Sequence, residues 1–197
     1  MTFWNDPGLQ PKRAYRFLLS IPGEENALDD FMIKKVNKPS FEISESPHKF
    51  LNHTFKYPGK VEWRPVSFTI VDALNPNASA RLYQMLAEAG YRAPIGPIQT
   101  GDQTAQTVSK LNSVTALGKV LIKQIDADGN NIEEWELKNP WIKSVKFGDL
   151  DYDTEDLLNI EVELSYDWAV LRVGQTDDRF SGASFPLNVT NKGLSSR

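Results

Sequence analysis

The sequence predicts an all-β domain with one main α-helix, arranged as an antiparallel β-sandwich or barrel. Three observations carry that expectation. The stretch from Leu158 to Leu171, LNIEVELSYDWAVL, alternates apolar with polar residues. Several further runs of period two are separated by Pro/Gly/Asn turn signals. Only one run, ASARLYQMLAEAG, has the spacing of an amphipathic helix. In the first stretch Ile160, Val162, Leu164, Tyr166 and Trp168 share one face, and Asn159, Glu161, Glu163, Ser165 and Asp167 share the other. A slip of one residue would move all five large apolar groups into water, so the register is well specified. The acidic face must look at bulk water, a partner or a channel.

The elements follow in order. Residues 1–12 hold Pro7, Gly8 and Pro11 and read as an irregular arm, with Phe3 and Trp4 as anchors to a neighbour or to its own core. Arg13 to Ile21 alternates and reads as a strand stopped by Pro22-Gly23. Phe31 to Val36 is a short strand, and Phe41 to Glu45 continues extended until Pro47. Lys49 to Val71 reads as a long hairpin turning at Pro58-Gly59, with a bulge or bend at Arg64-Pro65 where the parity of the apolar residues changes. Asn75 to Gly90 is the helix: Asn75 as its cap, Pro76 at its first position, Gly90 at its end, and Leu82, Met85, Leu86 and Ala89 as its apolar stripe. Asp102 to Val114 reads as a weak helix or ordered loop. Val120 to Ile125 is apolar on both faces and therefore central. DADGNN, at 126–131, is a turn, and Ile132 to Leu137 returns from it. Trp141, Val145 and Phe147 mark another strand. The domain thus spans 13–173, and the Ser/Gly/Asn-rich segment 174–197 is a C-terminal extension.

Composition sets limits. The 197 residues contain no cysteine, which excludes disulfide scaffolds, thiolate metal sites and thiol nucleophiles. No run of apolar residues is long enough for a membrane span, and the first residues lack a secretory signal. A net charge of −4 argues against a nucleic-acid-binding surface. The charge is uneven: 149–167 holds eight acids and no base, whereas 31–64 holds seven bases against three acids. A self-associating protein could pair such regions across copies. Asp126, Asp128 and Asn130 resemble the start of a calcium loop, but Asn131 and Leu137 stand where Gly and Glu are needed. His48 and His53, five residues apart on one strand, would face opposite sides, which disfavours joint metal ligation. Glu161 and Glu163 could imitate a glycosidase pair, though alternating Glu on a solvated strand is the commoner case. No phosphate loop or nucleophile elbow occurs, so no catalytic residues, no cofactor and no enzyme activity are expected.

The order of these features resembles the tail tube proteins of contractile-tailed bacteriophages. The likeness runs from RAYRFLLSI through FMIKKVNKPSFEISESPHKF, the hairpin HTFKYPGKVEWRPVSFTIVDA and the helix to the ending, over roughly residues 13–171. The ending is its most specific part: Asn139-Pro140-Trp141, the step Gly148 to Tyr152, and Tyr166 to Trp168. The resemblance implies hexameric rings whose sheets join into a continuous inner β-barrel, stacked head to tail inside a contractile sheath. It implies a conduit for the genome during ejection. Its partners would be the sheath, baseplate, tail terminator and tape measure proteins, with genomic DNA passing unbound through the lumen. The place implied is the virion tail, assembled in the host cytoplasm, without a membrane anchor. Glu161 and Glu163 would face the lumen, where negative charge repels phosphate. Lys56, Tyr57, Pro58, Gly59, Lys60 and Arg64 would form the ring-to-ring hairpin. Three other readings stand beside it. One is a tube protein of a phage-like injection or secretion particle, and another a baseplate tube initiator. The third is a monomeric carbohydrate-binding sandwich using Trp63, Trp135 and Trp141.

Overall fold

The computed structural model describes residues 11–21, 32–93, 106–153 and 155–173. Residues 1–10 of the arm and the extension from 174 onward lie outside the described residues. Among the described residues, ten strands and two helices follow one another: β1 (Phe17–Ser20), β2 (Ile33–Val36), β3 (Ser40–Phe50), β4 (His53–Arg64), β5 (Val66–Val71), α1 (Ala78–Glu88), α2 (Lys110–Leu117), β6 (Val120–Ile125), β7 (Asn131–Lys138), β8 (Trp141–Lys146), β9 (Asn159–Ser165) and β10 (Trp168–Val173). They form two four-stranded antiparallel sheets, ordered β1-β6-β7-β10 and β2-β5-β9-β8, and a separate hairpin β3-β4. The sheets are open, so the single copy is a sandwich and not a closed barrel.

Alternation places the core. In β9, Ile160, Val162 and Leu164 are at most 1% exposed, and they oppose Ile70, Phe68 and Val66 of β5. Val120 and Ile122 of β6 and Leu137 of β7 supply the facing layer. Burying one such side chain contributes roughly 1.5–3 kcal/mol, so β5 and β9 anchor the sandwich. Leu82 and Met85 of α1 and Leu117 of α2 extend the same core.

Four sequence expectations are corrected. The run 158–171 is not one strand: β9 stops at Ser165 and β10 starts at Trp168, in the other sheet. The break is held at Asp167, whose N–H donates to the Lys138 carbonyl at 3.0 Å. Its carboxylate accepts from Lys110 Nζ at 2.7 Å and from Asn139 Nδ2 at 2.7 Å. Trp168 consequently sits on an outer face, 48% exposed. The cap of α1 is Asn77, not Asn75. Asn77 is extended and its side chain accepts from Ala80 N–H at 2.8 Å, which leaves Pro76 before the helix. Gly90 does end it, at φ +112°. A second helix, α2, starts later than the weak-helix stretch expected at 102–114. Ser109, extended, offers its hydroxyl to Asn112 N–H and so fixes the start. The hairpin turns at Leu51-Asn52, not at Pro58-Gly59.

The root of that hairpin is built on Tyr166. Its hydroxyl donates to the Arg64 carbonyl at 2.8 Å, and its ring lies 6.0 Å from that of Trp63, which meets Phe41 edge-on at 5.3 Å. Burial pushes the phenol up to about 12, so it remains a neutral donor. Tyr166→Phe should lower stability by about 1 kcal/mol, a fall of about 2–4 °C in a chain of this size. Calorimetry of both proteins checks it, and an unchanged melting temperature would show that the hydroxyl is not needed.

Candidate functional site

The hairpin β3-β4 stands apart from the sandwich. Every residue of β3 is exposed, as is every residue of β4 except Trp63. Its surface nevertheless carries large apolar side chains. Phe41, Ile43 and Val61 near the root, and Phe50, Phe55 and Tyr57 near the tip, are each half exposed or more. The register divides them between the two faces. Phe41 opposes Trp63 and Ile43 opposes Val61 on one face. Ser46 opposes Tyr57, His48 opposes Phe55 and Phe50 opposes His53 on the other. His48 and His53 therefore share a face, because a turn separates them; the opposite-sides expectation is corrected.

A bulge makes the change of face possible. Gly59 and Lys60 stand against Ser44 alone, between the pairs Glu45–Pro58 and Ile43–Val61. Lys60 N–H donates to Ser44 Oγ at 2.9 Å. A Cβ at Gly59 would lie 2.3 Å from Ser44 Oγ and 2.9 Å from its carbonyl oxygen, so only glycine fits this close approach. The six candidate residues Lys56, Tyr57, Pro58, Gly59, Lys60 and Arg64 thus run along β4 toward the root, and none of them forms the turn. Lys56 pairs with Glu45 at 2.7 Å, and Arg64 pairs with Glu42. The Arg64 guanidinium hydrogen bond lowers the Glu42 carboxyl and relieves its cross-strand opposition to Glu62. The true tip, Leu51 at φ +50° and Asn52, was masked in the sequence by the stronger Pro-Gly signal. The signal that could have found it is the matching alternation on both sides, HKF against HTF.

Glu161 and Glu163 do share the outer face of the second sheet, opposite Thr69 and Ser67. They are not an unpaired acidic wall. Lys143 Nζ donates to Glu163 at 3.0 Å and Ser144 Oγ at 3.2 Å, and Lys146 reaches Glu161 at 3.5 Å. The Lys143 hydrogen bond lowers the Glu163 carboxyl. The acidic face expected from β9 alone is balanced by the lysines of its neighbour β8.

The other candidates separate. Trp63 lies at the hairpin root. Trp135 donates its Nε1 to Glu133 at 2.6 Å. Trp141 lines a groove of about 340 Å³ between α1, α2 and β8, with Leu82, Leu86, Val108, Leu117 and Val145. The three tryptophans make no common platform. Among the described residues the groove lining contains no carboxylate and no imidazole. Asp126 is committed to its own turn, accepting from the N–H groups of Asp128 and Asn130 at 2.8 Å each. Among the described residues no helix is long and apolar enough to cross a membrane.

Sequence reading missed Glu133. It is 7% exposed, on the core-side face of β7. It accepts from Lys12, from Lys38 at 2.7 Å and from Trp135. Burial alone would raise this carboxyl; the three donors outweigh it and hold it at about 2, from an ordinary 4.5. It ties Lys12, the last residue of the N-terminal arm, and the link from β2 to β3 onto the first sheet.

Chains of several solved structures share this fold. One is from the sheath/tube terminator of the PVC extracellular contractile injection system in the extended state, 16% identical, with a TM-score of 0.59 over 83% of this chain and 98% of that one. Another is from the anti-feeding prophage baseplate, 15% identical, with a TM-score of 0.58 over 82% and 95%. A third is from the PVC sheath–tube complex in the extended state, 17% identical, with a TM-score of 0.55 over 83% and 93%. No protein-family model and no curated protein sequence matches the chain.

Two outcomes follow from this geometry. Gly59→Val should speed amide exchange throughout β3-β4 while leaving the melting temperature of the sandwich within a few degrees. Exchange unchanged across the hairpin would mean that the close approach to Ser44 is dispensable. Glu133 has a depressed carboxyl, so its stabilisation is complete above about pH 4.5 and fades as the pH falls toward about 2. Glu133→Gln should cost on the order of 1–3 kcal/mol at pH 7. It should also flatten the loss of stability between those two pH values, measured by urea titration at each pH. An equally steep acid loss in the variant would assign the dependence to other groups.

Proposed function

We propose that this chain is a tube-type structural subunit of a phage-like contractile injection particle, which self-associates into rings that stack into a tube. The observation that carries it is the hairpin. An isolated two-stranded ribbon is marginal in water, and this one spans Ser40 to Arg64 with apolar side chains on both faces and no sandwich layer behind them. Such a surface marks an interaction site. Two different apolar faces on one arm suit a partner that grips it from both sides, as the surface of a stacked ring would. The contact must be heterologous, because a two-fold contact would close and could not propagate. The shared fold with chains from a sheath–tube complex, a baseplate and a sheath/tube terminator supports the reading.

The ring-to-ring contact is then assigned to the whole hairpin, with its tip at Leu51-Asn52. Glu161 and Glu163 face the lumen with Lys143 and Lys146. A wall that conducts a genome should repel phosphate. The charge-balanced sheet offers little repulsion, and this favours the injection particle over a virion tail. Sheath, baseplate and terminator proteins are the partners in this reading, and no catalysis is assigned.

The test is negative-stain electron microscopy of the purified protein over a concentration series, with a second protein lacking residues 49–54. Rings with a central hole and hollow tubes are expected from the intact chain, and rings without long tubes from the deletion. Uniform small particles from the intact chain at every concentration would refute the reading. Long tubes from the deletion would remove the hairpin from the stacking contact.

A further inference from the structure

Among the described residues the second sheet has two free edges, β2 and β8. Beside each lies a feature that no described residue of its own chain uses. A cavity of about 780 Å³ opens beside β2, between the two sheets, lined by Tyr15, Phe17, Ile33, Lys34, Lys35 and Trp135 among others. Lys35 has no partner among the described residues, and Lys34 touches only the Asn159 side-chain oxygen, at 3.5 Å. Beside β8 is the connection to β9. There Asp149, Asp151 and Asp153 make no ion pair among the described residues, and Leu150 and Tyr152 are 89% and 108% exposed. The loop is acidic with two apolar projections; the cavity is basic at its rim and aromatic within.

Register puts the two at the same level of the sheet. Ile33 opposes Ile70, Ile70 opposes Ile160, and the next residue, Glu161, opposes Lys146 at the end of β8. Within one copy the edges are three strand spacings apart, about 14 Å, on opposite sides of the sheet. A second copy placed edge to edge removes that separation. Each neighbouring pair in this sheet is antiparallel, so β8 of one copy would meet β2 of the next in antiparallel sense and extend the ladder.

We infer that loop 148–153 of one copy seats Leu150 and Tyr152 in the β2-edge cavity of the next, with its aspartates on Lys34 and Lys35. The occupant is a second copy of this chain, and the contact fixes the lateral neighbour within a ring. It rests on the tube reading above. The contact is heterologous, so repetition closes into a ring once the rotation per copy permits. It also covers two edge strands that would otherwise invite unregulated pairing. Salt should weaken it, since its charges are exposed before assembly.

The experiment uses two full-length proteins. One carries Lys34→Glu and Lys35→Glu; the other carries Asp149→Lys, Asp151→Lys and Asp153→Lys. Each alone brings like charges together at every lateral contact. The concentration needed for ring formation should rise at least about tenfold, read by analytical ultracentrifugation. Mixed in equal amounts, the two can alternate around an even-numbered ring. Native loop then meets native cavity and reversed meets reversed, so rings should return. Either protein forming rings alone as readily as the natural chain would overturn the contact. So would a mixture that stays dissociated, because the substitutions would then have damaged something other than pairing. If the natural chain itself stays at 22.2 kDa throughout, the ring reading fails, and this contact with it.

Discussion

The crossing at Tyr166-Asp167 constrains most of the molecule. There the chain leaves the centre of one sheet for the edge of the other, and two polar groups hold it. Tyr166 grips the Arg64 carbonyl and packs against Trp63, which fixes where the hairpin leaves the sandwich. Asp167 gathers Lys110 of α2 and Asn139 of the turn between β7 and β8. One two-residue step therefore sets the relation of both sheets, the second helix and the hairpin.

The hairpin shows how a strand pair can be stable in a fold and still offer its surface to something else. Its root is pinned by an aromatic cluster, whereas its shaft relies on cross-strand pairs and a bulge. That bulge has a function beyond local geometry. By setting two residues of β4 against one of β3, it lets apolar groups dominate one face near the root and the other near the tip. A uniform ribbon would carry its apolar groups on a single side. Two half-faces of opposite sense fit the repeated, directional contact proposed above.

Electrostatics separates two kinds of carboxylate. Glu133 is buried among donors and belongs to stability. Glu161 and Glu163 are exposed and answered across the strand by lysines, so they add little to stability and shape the charge of a surface instead. The aspartates after β8 are answered by no base among the described residues. Reading charge by strand gives an acidic face; reading it by sheet gives a balanced face with an acidic loop beside it.

The sequence by itself determined the layers. Alternation is a local property, and burial of Ile160, Val162 and Leu164 follows from a period of two with no knowledge of the partner. The central place of Val120 to Ile125, the turn at 126–131 and the glycine after α1 were legible for the same local reason. Tertiary structure decided what depends on residues distant in the chain. Whether Pro58-Gly59 turns or bulges is settled by Ser44 across the ladder. Whether 158–171 is one strand or two is settled by Lys110 and Asn139 holding Asp167. The charge of the sheet face is settled by β8, and Glu133 becomes a buried hub only because Lys12 and Lys38 arrive from far upstream. Periodicity records which side of an element meets the core; only the folded chain records which residue stands opposite.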